Sequence, residues 1–596
     1  MLKRPLTFLL YLAAFALLTN AEVLSQDSVK TADPDFISFS PQNLIDRDHE
    51  EFGDWVSLLP GFYPLDQGGF GQPMRFLFLG KPCNYLNSHY RGRRLEDHLL
   101  GVPELSWIPP EALVGMDMQI TGVPSAGIGL NTTLRSLNPV PPSSRIASRD
   151  GYYGLGLVDF DLTEKIAPQL ILNGGGRIAT YDGHLYHSAA YGLNLRAEVV
   201  WIDSAQTDDA DNRVRGWFGV TQNHLLSQVP FADIDHNRKR YELDAVLNWG
   251  ELSFNAYGIQ QNETYASGDA DTWNEVGMIA KAHKTGAIVS GEISLRAALA
   301  NWRLKQMDWS ATTFGDVGIS LTSAPLNWLS IGSSAALDLS DDFDLARHFG
   351  VSATASLKSG LFLFTGISQD QRMPSRFETS ADYQSGSHYL PFDPLFYQYP
   401  DSSVKGNYYL KNETCNDFCL GIQSDHEFLS GSLSYCHYLI QDPISWELQS
   451  GKITAFNATK EEFGGILGSI RFVFTGNLEI GGTGSYLPKA DDEDRLFPEL
   501  IAHTWIQYRL LLFHDDLDLR FRLWDDFWGD RSFPMENGWS KRDVDNILSV
   551  RIGAHLYGFH IYWGVNNIFD HHYELLPGYP MMHKEEVWGI AWNFIN

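Results

Sequence analysis

Beyond its N-terminus the 596-residue chain has no apolar run of about 18 residues or more, so it carries no candidate transmembrane helix there. Basic side chains are scarce. Lys and Arg number 44 against 73 Asp and Glu, and a net charge of −29 argues against nucleic acid as a partner. Cysteine is scarcer still, and Cys83, Cys415, Cys419 and Cys436 lack zinc-site spacing. The sequence holds no Gly-x-Ser-x-Gly elbow, no zinc-binding His-Glu pair and no phosphate loop. Gly68-Gly69-Phe70-Gly71 has no following Lys and reads as a turn. The acidic run Asp491-Asp492-Glu493-Asp494 lacks the spaced ligands and the Gly of a calcium loop, so it reads as solvated. No blade-length repeat supports a propeller. The expectation is a chain that is not an enzyme, with no catalytic residue, no cofactor and no metal.

Aromatics are abundant instead, at 13%, and strict alternation dominates the C-terminal part. Leu548, Val550, Ile552, Ala554 and Leu556 alternate with Ser549, Arg551, Gly553 and His555. After Tyr557-Gly558 the pattern restarts with Phe559, Ile561, Trp563 and Val565, and Trp588, Ile590, Trp592 and Phe594 close the chain. In Leu517–Trp524 the apolar face is Leu517, Leu519, Phe521 and Leu523, and the other carries Asp518, Arg520 and Arg522. Charges at that density cannot face lipid, so they point into a wet lumen. Leu519, Phe521, Leu548, Val550, Ile552, Ile561 and Trp563 are expected to face lipid, with Arg520, Arg522, Arg551 and His555 facing inward. On that reading Val550→Arg costs roughly 2–4 kcal/mol near the bilayer midplane and Ser549→Arg is mild. The arginines either steer anions or pair with Asp518 across the wall, the latter being favoured.

Short links (Trp249-Gly250-Glu251, Lys358-Ser359-Gly360, His514-Asp515-Asp516, Tyr557-Gly558) alternate with long ones (Gln369–Asn407, Gln441–Lys460, Asp525–Lys541, Phe569–Lys584). This matches the two ends of an outer-membrane barrel. Strand-like segments include Tyr152–Leu162, Leu252–Gln260, Glu427–Ile440 and Leu478–Leu487. About 455 residues, at roughly 20 per strand and connection, allow about 22 strands. The expected fold is all-β and transmembrane: a large closed antiparallel β-barrel over 143–596, with a small N-terminal α/β plug domain, 36–138, in its lumen. If Asp425–Leu429 is a tight turn, Cys419 and Cys436 fall opposite each other. They are then either a cross-strand disulfide or two small strand residues.

At the N-terminus Lys3 and Arg4 precede the apolar stretch Leu6–Leu18, and Thr19-Asn20-Ala21 supplies small residues at a cleavage site. Residues 1–21 are expected to be a secretory signal, followed by a polar segment, 22–35.

The run Gly564-Val565-Asn566-Asn567-Ile568-Phe569-Asp570, with Tyr573 and Leu576-Pro577-Gly578-Tyr579-Pro580, resembles the ending of the TonB-dependent outer-membrane receptors. Leu58-Leu59-Pro60-Gly61-Phe62-Tyr63, Phe76–Gly80, the positions Gly92, Leu95 and Asp97, and Ile108-Pro109 with Val114–Ile120 and Gly122 resemble segments of that family's plug. The family-motif positions are therefore Pro60, Gly61, Gly80, Gly92, Asn567, Phe569 and Asp570. The family's Tyr-Gly and paired Gly are not found after Gly122. Asp27-Ser28-Val29-Lys30-Thr31-Ala32 loosely resembles the family's energy-coupling box. The resemblance implies a bacterial outer-membrane protein contacting lipid and lipopolysaccharide. It also implies a TonB-like transducer as partner and active uptake of a scarce small ligand: siderophore-iron, a corrinoid or an oligosaccharide. The alternative is a non-transporting structural, adhesion or binding barrel. At the position of His571-His572 the family has a variable outer loop, so the pair reads as loop residues.

Overall fold

The computed structural model describes residues 36–39, 51–72, 74–82, 86–90, 93–95, 100–119, 128–134, 143–202, 214–228, 230, 235–265, 270–286, 288–303, 309–358, 360–383, 396, 399, 402–488, 495–535 and 538–595. Among them, twenty-two antiparallel strands form one closed barrel, from Ser143–Asp150 to Glu585–Ile595. The last strand pairs with the first, Trp588 opposite Asp150 and Ile595 opposite Ser143, so no edge is left unpaired.

The strand Asp235–Trp249 shows why this sequence makes a membrane barrel. Its outward positions include Tyr241, Leu243 and Leu247, all exposed, while His236, Arg238, Arg240, Glu242 and Asp244 are buried on the inward face. The same division holds where alternation was read. Phe521, Ile552, Ile561 and Trp563 are exposed, and Asp518, Arg522 and Arg551 are buried. Exposed Trp249, Trp328, Phe474, Phe513 and Tyr557 lie at the short-turn end, as an interfacial girdle requires.

Several boundaries differ from the sequence reading. The strand expected at Tyr152–Leu162 is Gly156–Ala167, because Tyr153 (φ 54°) and Gly154 (φ 68°) form the turn before it. Glu427 and Phe428 form the hairpin turn rather than the start of a strand; the next strand is Leu429–Gln441. Strands also extend further into the outer loops, to Arg372 and Trp528. Alternation ignores where backbone pairing stops, so it blurs such ends. Cys419 and Cys436 are register partners and form a disulfide.

Ser549 corrects a second expectation. It is buried, and its hydroxyl accepts the Asn567 amide N–H at 3.1 Å, so an Arg there is not mild. The arginines divide as well. Arg520 pairs with Asp518 at 2.9 Å, as favoured. Arg522 and Arg551 sit opposite each other on adjacent strands, where like charges repel, and each lies over a ring: Arg522 over Trp505, Arg551 over Tyr562.

The N-terminal domain has a five-stranded sheet in the order Phe36–Phe39, Leu113–Gln119, Ile128–Leu134, Leu86–Tyr90, Arg93–Arg94. A three-stranded sheet runs over Phe62–Leu65, Arg75–Phe78 and Lys81–Pro82. The helix Phe52–Ser57 starts where the Asp54 carboxylate accepts the Glu51 N–H at 2.9 Å, and it buries Phe52, Trp55 and Val56. These apolar groups share one core with Cys419, Cys436, Tyr438, Ile440 and Leu467 of the barrel wall. Full burial of each large side chain contributes about 1.5–3 kcal/mol, so domain and wall are packed as one body.

Candidate functional site

Charged side chains on the inner wall are buried because the N-terminal domain covers them, and each needs a partner to stay ionised there. Arg93, on the edge strand of the five-stranded sheet, places Nη2 2.9 Å from Glu242 and 3.0 Å from Asp244, with its guanidinium over the Tyr257 ring. Arg240 closes the cluster, donating from Nε to Glu242 at 2.5 Å. Arg196 reaches from the wall to Glu111 at 2.8 Å and also pairs with Asp161. Glu104 is shared by Arg75 at 3.0 Å and Arg238 of the wall at 3.6 Å. Lys81 pairs with Glu461. Burial pushes the Glu104 carboxyl up, but Arg75 and Arg238 outweigh it and hold the group below the ordinary carboxylate range. At Glu111 burial wins over Arg196 and the carboxyl lies above that range. Such pairs add little net stability, since desolvation offsets attraction, but losing one partner is costly.

The top of the domain meets two outer loops. Gly68, Gly69 and Gly71 have φ of 78°, 97° and 88°, a turn as expected. A Cβ on Gly68 would stand 2.9 Å from the His184 ring and 3.3 Å from the Pro580 carbonyl. The Tyr63 hydroxyl donates to the Leu575 carbonyl at 2.6 Å, and burial pushes its pKa up to about 12. Asp66 is pushed up to about 6 by burial, with the Gly68 N–H pulling the other way.

On another side, between the Arg93–Arg94 edge and the wall strands Ala270–Thr285 through Leu361–Arg372, lies a cavity of about 420 Å³. Its lining includes Arg94, Lys281, Arg296, Asp316, Asp338 and Arg372. Arg296 is fixed by Glu275 at 3.0 Å and by Tyr257, whose hydroxyl accepts from Nε at 3.0 Å. Arg372 is held by Glu413 at 2.5 Å and Glu378 at 2.9 Å, the latter in the short outer-loop helix Arg376–Ser380. The cavity thus runs from the outer loop down beside the domain, with charged groups and apolar ones such as Trp273, Phe314 and Phe343 on its walls. Among the described residues no three His, Cys, Asp or Glu side chains form a group able to hold a metal ion.

The motif residues do not converge on this cavity. Pro60, Gly61 and Gly80 shape the three-stranded sheet. Gly61 has φ 89°, and a Cβ there would stand 2.6 Å from the Phe78 ring. Asn567 and Asp570, both at positive φ, pin the last outer loop. Asn567 bonds both the N–H and the carbonyl of His571, and Asp570 accepts the Lys584 N–H at 2.9 Å. Phe569 is exposed. Gly92, Asp27–Ala32, Cys83 and Asp491–Asp494 lie outside the described residues. Sequence reading missed Arg93, Glu242, Asp244, Glu275 and Arg296. The alternating charges of His236–Asp244 were a signal that the face is buried in something other than lipid.

Neither family models nor curated protein sequences match the chain. Solved structures do. The ferric enterobactin receptor of Pseudomonas aeruginosa superposes at TM-score 0.75, with 11% identity over 95% of this chain and 100% of that one. This is the fold of the TonB-dependent outer-membrane receptors. The siderophore receptor PirA of Acinetobacter baumannii gives 0.74 with 12% identity over 94% and 98% of the two chains. The copper transporter OprC gives 0.75 with 14% identity over 95% and 100%. With its apolar outer face, the receptor fold makes this chain a multi-pass outer-membrane barrel.

Proposed function

We propose that the protein is an energised outer-membrane receptor that binds a scarce ligand at its outer loops and carries it inward past the N-terminal domain acting as a plug. The observation that carries this reading is a closed lumen occupied by a domain held through buried ion pairs, with a cavity lined in part by charged side chains beside it. A lumen so filled does not conduct by diffusion, so passage requires the domain to shift. The outer membrane holds no nucleotide pool, and the work is supplied by a TonB-like transducer pulling on the polar N-terminal segment. Asp27, Ser28, Val29, Lys30, Thr31 and Ala32 are the segment proposed to pair as a strand with that partner. Siderophore-iron, a corrinoid and an oligosaccharide all suit an exported receptor of this fold.

Deleting Asp27–Ala32 is expected to leave ligand binding at the cell surface intact and to abolish uptake of the cargo identified by comparing wild-type and gene-deleted cells. Unchanged uptake would mean passage without that coupling, and no cargo lost from gene-deleted cells would favour the second reading, a non-transporting barrel, which the missing Gly pair after Gly122 supports.

A further inference from the structure

The last outer loop, 567–584, brings together three side chains that the receptor reading does not use. The return through Glu574–Leu576 and Tyr579–Pro580 sets His572 against His583, with ring centroids 4.1 Å apart and planes at 86°. The Asp570 Oδ1 lies 3.3 Å from His583 Nδ1 and also accepts the Lys584 N–H. His572 is exposed, and the His583 and Asp570 side chains are 42% and 56% exposed, so solvent reaches all three.

We propose that His572 and His583 form a two-imidazole chelate for a first-row divalent ion of the copper, nickel and zinc group. Imidazole is the common ligand for these ions, and the softer or harder alternatives call for thiolates or oxygen cages. The spacing fits. Two imidazoles bound to one ion at about 2.1 Å per nitrogen, with an angle near 90° between them, have centroids roughly 4.5 Å apart. Small rotations of exposed side chains close that difference. Asp570 is the positioning residue. By accepting the proton on His583 Nδ1 it leaves Nε2 free to bind the ion, the arrangement seen behind many metal-bound histidines. Two protein ligands fall short of a closed cage and leave coordination positions open to water or to donor atoms of an incoming molecule. Neighbouring His571 is excluded, since its Nε2 lies 2.8 Å from Asp545. The loop also rests on the N-terminal domain through Leu575 and Pro580, beside His184, so an ion bound here sits next to the domain's apex.

The test is calorimetric titration of the full-length protein in detergent with Cu²⁺ alone and Ni²⁺ alone, with Cu²⁺ electron paramagnetic resonance to count bound nitrogens. Wild type is expected to bind one ion per chain at this site with two nitrogen ligands. His572→Ala and His583→Ala each abolish the two-nitrogen signal, and Asp570→Asn weakens affinity about tenfold. His571→Ala changes neither reading. Circular dichroism and heat-modifiable gel mobility confirm that each variant is folded. A two-nitrogen signal that survives in the folded His572→Ala/His583→Ala double variant, or no such signal in wild type, overturns the proposal.

Discussion

Removing Arg93 tests how the N-terminal domain is held. Its guanidinium, Glu242 and Asp244 have side chains 4%, 2% and 0% exposed. Arg93→Ala leaves Asp244 without this partner in a site water does not reach, and loss of one member of a buried pair costs about 3–5 kcal/mol. Glu242 keeps Arg240 at 2.5 Å, so the lower end applies, about 3 kcal/mol. The barrel's own ladder is untouched, and the cost therefore falls on the docked state of the domain. At 1.4 kcal/mol per tenfold, undocking becomes roughly 100-fold more frequent. Amide exchange across Leu86–Tyr90 and Arg93–Arg94 should accelerate by that order, and single-channel recordings should show brief openings absent from wild type. Arg93→Ala with Asp244→Asn neutralises the carboxylate that faced Arg93, leaves Glu242 to Arg240, and should recover most of the loss. Unchanged exchange in Arg93→Ala, or no recovery in the double variant, would refute the account.

Asp66→Asn keeps the acceptor for the Gly68 N–H and removes a carboxyl whose folded pKa, about 6, lies above its ordinary 3.8. The extra proton stabilises the fold below about pH 4, and that contribution is lost as pH rises through about 6. The variant should therefore gain about 2–3 kcal/mol at neutral pH and nothing in strong acid, read from thermal melts across pH. A gain that does not depend on pH would contradict this. Leu295 faces outward and is half-exposed, while its neighbour Ser294 lines the cavity. Leu295→Arg should cost roughly 2–4 kcal/mol in folding into bilayers, and Ser294→Arg much less; equal costs would mean the faces are reversed. Non-reducing peptide mapping should recover Cys419 linked to Cys436 and not to Cys415.

Alternation was enough to reach the barrel, because a strand between lipid and water must change character at every residue. Leu548–Leu556 and Leu517–Trp524 showed it without help, and chain length at roughly 20 residues per strand and connection carried the strand number. The hairpin between Cys419 and Cys436 was legible too, since symmetry about a turn fixes who faces whom. What alternation cannot carry is the far side of the wall. A buried charge and a solvated one look alike in a sequence, so Arg93, Glu242 and Asp244 became a cluster only when residues about 150 apart met. The stacking of Arg522 on Trp505, the burial of Ser549 and the meeting of His572 with His583 are of the same kind. Lipid and water select residue types one position at a time and leave a periodic trace. A partner across the lumen leaves none, and tertiary structure alone decides it.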